Sequence, residues 1–358
     1  MSGREFPGLT GSGSAEKYTD RMDILWEPAR EGARILRIYG NDLTVRIPDR
    51  VDGLPVTELG AYCFSASEHL PPEGGRLTRL CNEGDFLISS GLEDGISPSF
   101  PAVCGDYLQE VFLPDTVTTI HNAAFYNCRN IKLLSVGKEL RSIGSDVFMN
   151  CRHLDRIDQR ASSTEETGLN LILERLITEV EVSFRPEGNS GESVDPECVL
   201  LFPEYWEWLN EISPAHVFSR SIEGEGFRMR KVFQGHRIDF SKYDQCFPEV
   251  LTGESAATVC RIALDRLRWP VSLQPAAKDR YARAVRDRLD TAVRLIIKDR
   301  DMEGLHFLCR CFQPAKGLLL SWMAECTEAD WGEAKATLME EFRQRNSFIN
   351  KSFTLDDL

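Results

Sequence analysis

The chain has 358 residues, with 56 acidic against 42 basic side chains, a formal net charge of −14, and 42% hydrophobic content. That length allows two or three domains, and the apolar content can support a packed core. The charge excludes attraction of the whole surface to nucleic acid or to an anionic membrane, and no stretch reaches the roughly 20 apolar residues that a bilayer span needs.

Residues 1–20 open with Met1-Ser-Gly-Arg-Glu-Phe-Pro-Gly-Leu-Thr-Gly-Ser-Gly-Ser. They hold no apolar run of the signal-peptide kind and read as a flexible tail. Eleven cysteines make an odd count. Cys63, Cys128 and Cys151 fall at apolar positions of the pattern described below. With no export signal, free buried thiols in a reducing cytoplasm are expected.

From residue 21 to about 165 the dominant signal is a repeat. Leu108-x-x-Val111-x-Leu113-Pro114 opens a unit running through Ile120, Phe125 and Cys128. Leu113 to Val136, Ile120 to Ile143, Phe125 to Phe148 and Cys128 to Cys151 are each 23 residues apart. A further unit begins at Leu154 and fades after Ile157. A fixed period in the twenties marks a solenoid, in which each unit buries its apolar face only against its neighbours. Alternation at the start of each unit predicts a short half-buried strand, which Pro114 would stop because it has no N–H to donate. An earlier copy starts at Leu43-Thr-Val45-Arg-Ile47-Pro48 and reaches Cys63-Phe64. Residues 67–106 hold no clean copy and read as a degenerate repeat with a long loop.

The unit L-x-x-V-x-L-P-x-x-V-x-x-I-x-x-x-A-F-x-x-C-x-x-L resembles the BspA-type leucine-rich repeats of bacteria. The opening unit of that family is close to Ile47 through Phe64 here. The likeness covers residues 24–160. It implies a leucine-rich-repeat solenoid, and it leaves open the surface location often described for the family.

Residues 166–252 read as a small α+β domain. Leu171–Ile177 suggests a helix, Val180–Phe184 and Val199–Phe202 suggest strands, and Tyr205-Trp206-Glu-Trp208-Leu209 could open a helix. Phe227–Phe233 and Arg237–Phe240 flank Gln234-Gly235-His236 in a hairpin-like pattern. From residue 253 to 358 the period becomes helical. Val259, Ala263 and Leu267 share one face. Tyr281, Val285, Leu289, Ala292 and Ile296 share another across a second helix; Met302–Leu308 and Trp331–Phe342 supply two more. The stretch from Asp301 to Leu308 resembles ankyrin-type helix pairs. The expected fold class is therefore α+β multidomain: a short leucine-rich-repeat solenoid, a small α+β unit, and an all-α C-terminal domain.

Four places carry candidate chemistry or binding character. His306, Cys309 and Cys311 are soft ligands, but on one helix Cys311 points away from the other two. His216, His236, Asp239, Asp244 and Cys246 include the residue types of nucleophilic catalysis. No nucleophile elbow, Walker loop or dinucleotide fingerprint accompanies them. The aromatic group Phe202, Tyr205, Trp206, Trp208 and Phe218 reads first as core and second as an interaction patch. Residues 261–300 carry 11 basic and 5 acidic side chains, a local +6, and Arg283, Arg286 and Arg294 read as a solvated face.

The expected function is non-enzymatic protein–protein recognition by the concave sheet face. Its side chains by alignment are Thr44, Arg46, Glu110, Phe112, Leu133, Ser135, Arg156 and Asp158. Phe112 and Leu133 are apolar where exposure is expected, as at interfaces; burial by the rest of the chain is the competing reading. The partner is expected to be an unidentified protein, not nucleic acid or membrane, with no cofactor and no metal. Self-association through the repeat ends is a further reading. The alternative function is a metal-binding or Cys/His-dependent enzyme centred on residues 198–246 or 306–311.

Overall fold

The computed structural model describes residues 21–66, 75–82, 87–91, 97–186, 195–212 and 217–351. They fall into two compact units, one of Met1–Thr178, Ser183–Glu197 and Gly235–Arg237, the other of Glu179–Val182, Cys198–Gln234 and Ile238–Leu358.

The first unit is the solenoid. Its parallel sheet runs in the order Thr44–Arg46, Glu110–Phe112, Leu133–Gly137 and Arg156–Arg160. Val45, Val111, Leu134 and Ile157 lie side by side in register and point inward. A second ladder forms where each repeat turns back. Leu54–Leu59, Thr119–Ile120 and Ser142–Ile143 pair in parallel, with Leu59 opposite Ile120 and Ile120 opposite Ile143. The 23-residue period is thus one turn of chain, and each apolar position stacks on its own copy.

Between the ladders the phenylalanines of successive repeats stack. The ring centroids of Phe64 and Phe125 lie 5.1 Å apart, and those of Phe125 and Phe148 lie 5.5 Å apart, with planes inclined by 13° and 17°. The thiols beside them act as donors. Cys128 Sγ donates to the Phe64 carbonyl and Cys151 Sγ to the Phe125 carbonyl, each at 3.1 Å. Burial pushes both thiols up, that of Cys151 to about 12. At the outer bend Asn127 and Asn150 both adopt φ near 63°, a left-handed conformation that asparagine tolerates better than most residues. Asn150 Nδ2 donates to Asn127 Oδ1 at 2.7 Å, so the bend is also a ladder.

Two expectations for this unit are corrected. The described residues of 67–106 do not form a degenerate turn of the solenoid. Thr44–Arg46 pairs directly with Glu110–Phe112, which leaves no room for a strand between them. The described part of the intervening chain instead forms Arg76–Asn82 and Leu87–Gly91, an antiparallel pair. Arg76–Asn82 continues an antiparallel sheet made by Arg21–Pro28 and Ala33–Tyr39. Nor does the repeat fade after Ile157. The strand runs on to Arg160, in register with Gly137.

The second unit starts from Cys198–Phe202, buried at every position. Trp206–Ile212 and Val217–Glu223 follow as an antiparallel hairpin. This overturns the helix expected at Tyr205–Leu209: the aromatic side chains alternate, and alternation belongs to a strand. Where a strand was expected from Phe227, Gly226–Met229 is a short helix, and the hairpin-like pattern shrinks to Phe233–Gln234 and Arg237–Ile238. Helices then dominate, at Phe240–Gln245, Phe247–Gly253, Ala256–Arg268, Pro275–Arg286, Leu289–Asp299, Met302–Phe312, Lys316–Glu328 and Gly332–Lys351. The apolar period from Tyr281 to Ile296 belongs to two helices, because the chain breaks at Asp287-Arg288. Capping side chains fix several starts: Asp239 accepts from the Lys242 N–H, Ser255 from Thr258 N–H and Asp301 from Gly304 N–H, each satisfying an otherwise orphaned donor.

A buried polar cluster lies among these helices. Arg266 and Asp244 form a two-pronged ion pair at 2.8 and 3.1 Å. Tyr281 donates to the same carboxylate at 2.9 Å, and Arg266 also reaches the carbonyls of Trp269 and Val271. So many partners offset the cost of removing both charges from water.

Candidate functional site

The parallel sheet of the first unit has one face turned inward and one turned outward. Side chains alternate along a strand, so the residues flanking Val45, Val111, Leu134 and Ile157 all project outward. Register places Thr44, Glu110, Leu133 and Arg156 side by side in one row, and Arg46, Phe112, Ser135 and Asp158 in the next. All eight aligned positions therefore come together on one surface, with neighbouring strands about 4.8 Å apart.

The two rows differ in character. In the first, Thr44 Oγ1 donates to Glu110 Oε2 at 3.2 Å, and Arg156 reaches across Leu133 to the same carboxylate at 3.8 Å. In the second, the Arg46 guanidinium lies 3.7 Å from the centroid of the Phe112 ring, a stacked cation–π pair. Phe112 and Leu133 are half-buried rather than fully exposed. They form an apolar centre flanked by arginines and carboxylates.

Ser135 is outward by register yet buried, because a polar group closes over it. Its Oγ donates to Asp158 Oδ2 at 2.8 Å and accepts from Arg160 Nη1 at 2.5 Å. Arg160 also donates to Asp115, through Nε at 2.9 Å and Nη2 at 2.6 Å, and to the Leu113 carbonyl. Arg185 pairs with Asp158. Arg160, Asp115 and Arg185 belong to this surface and were missed by alignment of the strand cores. The signal was present, since Arg160 keeps the outward parity of Arg156 and Asp158. Gly137, in register with Arg160, has no side chain for a physical reason: a Cβ there would lie 2.7 Å from the Asp115 Cα.

Sequence and fold converge on one family. The family model described as BspA type leucine rich repeat region, in six copies, matches residues 100–179. Residues 100–179 are a BspA-type leucine-rich repeat region. No match was found among curated proteins or among solved structures. The match covers Glu110–Phe112, Leu133–Gly137 and Arg156–Arg160, the BspA-type strands whose outward side chains make up most of both rows.

The residues considered for catalysis are engaged structurally. Asp239 caps a helix, and Asp244 is the buried partner of Arg266. Cys246 Sγ donates to the Lys242 carbonyl at 3.3 Å, and burial raises its thiol pKa. His236 is exposed, with Nδ1 2.9 Å from Asn170 Oδ1; His216 lies outside the described residues. On the Met302–Phe312 helix His306 and Cys311 are exposed while Cys309 is buried. Among the described residues no three His, Cys, Asp or Glu side chains come together as a metal-ligand set. Likewise no helix among them is long and apolar enough to cross a membrane.

The aromatic group divides. Phe202 packs edge-on against Tyr243 at 5.7 Å, and Tyr205 against Phe227 at 5.5 Å. Trp206 and Trp208, expected first as core, are exposed on the hairpin. Of the basic run, Arg294 pairs with Glu325 at 3.3 Å, and Arg286 lies 5.8 Å from the Phe312 ring.

Proposed function

We propose that this protein is a non-enzymatic recognition module, binding a partner protein through the outward face of its BspA-type sheet. The observation that carries this reading is the in-register surface of Thr44, Glu110, Leu133 and Arg156 beside Arg46, Phe112, Ser135 and Asp158. Its apolar centre of Phe112 and Leu133 and its charged surround match the core-and-rim organisation of protein interfaces. The strands beneath are held by parallel ladders and a stacked phenylalanine column, so the side chains are presented on a rigid support. Rigidity lowers the entropy lost on binding.

The test is affinity capture from lysate of the source organism with wild type and with a Leu133→Glu, Arg156→Glu variant. Both side chains point away from the core, so the variant should retain its circular dichroism spectrum and melting temperature. A protein held by wild type and lost by the folded variant supports the reading. Identical captures from both proteins refute it.

A further inference from the structure

The hairpin of Trp206–Ile212 and Val217–Glu223 lies wholly within the second unit. Trp206 stands opposite Glu223 and Trp208 opposite Ser221. Directly opposed side chains of an antiparallel pair share a face, with Cβ atoms about 4.5–5.5 Å apart. Trp206 is 53% exposed and Trp208 is 40% exposed. A two-stranded hairpin is marginal on its own in water. One that keeps two indoles in solvent carries an apolar surface of the kind that marks a contact site.

Charge decides what that contact suits. The opposite face carries its own cation: Arg220 pairs with Glu207 at 2.5 Å and lies 5.0 Å from the Phe227 ring centroid. The indole face has a carboxylate, Glu223, with no ion pair among the described residues. Elsewhere the chain places its own cations over aromatic rings, as with Arg76 and Trp26 or Arg268 and Trp269. Among the described residues none lies over Trp206 or Trp208. Indole is the best aromatic acceptor for a cation, and a carboxylate beside it adds charge-assisted hydrogen bonding.

We propose that the Trp206, Trp208 and Glu223 face is a second docking surface, which takes a basic segment of a partner protein. An arginine or lysine of that segment stacks on the indoles and pairs with Glu223. The chain's net charge of −14 favours the approach of such a segment.

The probe is a fluorescently labelled hexa-arginine peptide, with hexa-citrulline as its neutral counterpart, titrated by anisotropy at physiological ionic strength. Wild type is expected to bind hexa-arginine and not hexa-citrulline. Trp206→Ala with Trp208→Ala, and separately Glu223→Gln, should each weaken binding by about tenfold, the worth of one or two exposed cation–π contacts or a charge-assisted bond. Glu223→Gln leaves the indoles in place, so it decides the matter if the double variant loses the hairpin. No binding by wild type overturns the proposal. Equal binding by wild type and the Glu223→Gln variant also overturns it, by assigning the attraction to overall charge. Sedimentation showing a wild-type dimer that the double variant dissolves would seat a second copy on this face, which likewise overturns the basic partner.

Discussion

Removing one ring from the phenylalanine column should show whether the repeats are energetically coupled. Phe125 is fully buried and sits between Phe64 and Phe148, at 5.1 and 5.5 Å between centroids. Phe125→Ala deletes a core aromatic, at a cost of about 3–5 kcal/mol. It also removes two stacked neighbours, each worth about 0.5–1.5 kcal/mol beyond area burial. Phe148→Ala makes the same truncation but loses the one stacked neighbour seen among the described residues. Phe125→Ala is therefore expected to cost about 1 kcal/mol more than Phe148→Ala. A double-mutant cycle on the pair should return a coupling of about 0.5–1.5 kcal/mol. Hydrogen exchange at the buried amides of Leu134 and Ile157 reads the opening free energy of the repeats themselves. Solenoid stability travels between nearest neighbours, so Phe125→Ala should lower protection in the repeats on both sides. Equal costs with strict additivity would refute the coupling.

Further outcomes follow from the same geometry. Burial works to raise the Glu58 carboxyl, but hydrogen bonds from His121 and Arg34 outweigh it and hold the carboxyl below its ordinary value. Its contribution is present above the ordinary carboxylate range, about pH 4, and is lost as pH falls through the lowered folded value. The melting-temperature advantage of wild type over Glu58→Gln should thus shrink on acidification, and a constant gap would contradict the assignment. Buried Cys128 and Cys151, with raised pKa values, should resist iodoacetamide in the native protein while exposed Cys311 reacts; peptide mass spectrometry gives the order of labelling. Arg266→Leu leaves Asp244 buried without its cation and should cost about 3–5 kcal/mol, much of which the paired Asp244→Leu substitution restores. Urea unfolding of the three variants supplies the comparison.

The solenoid could be read from the sequence because its energetics are local. Each inward residue, such as Val111, Leu134 or Ile157, stacks on the equivalent residue of the next repeat. A 23-residue spacing is then visible without knowing the fold. Strand parity likewise aligns the eight outward positions in two in-register rows. What failed to show were arrangements fixed by distant partners. Arg76–Asn82 joins Arg21–Pro28, about 50–60 residues earlier in the chain, and no local period reports such a pairing. Arg160 reaches Asp115 across two repeats through side-chain length, which strand alternation does not encode. At Trp206-Glu-Trp208 the alternation was present, but aromatic density suggested burial. The strand instead forms a hairpin with both indoles in solvent. Asp287-Arg288 ends one helix and starts another without a Pro or Gly to mark the break.

Site-specific photocrosslinking locates the recognition surface on the folded protein. A benzophenone amino acid placed at Leu133, in the middle of the outward rows, is compared with one at Met149, exposed on the bend away from the sheet. A covalent adduct with a distinct protein is expected from the Leu133 position and none from Met149. Adducts of equal yield from both positions, or an adduct from Met149 alone, would contradict this and remove the repeat sheet as the recognition surface.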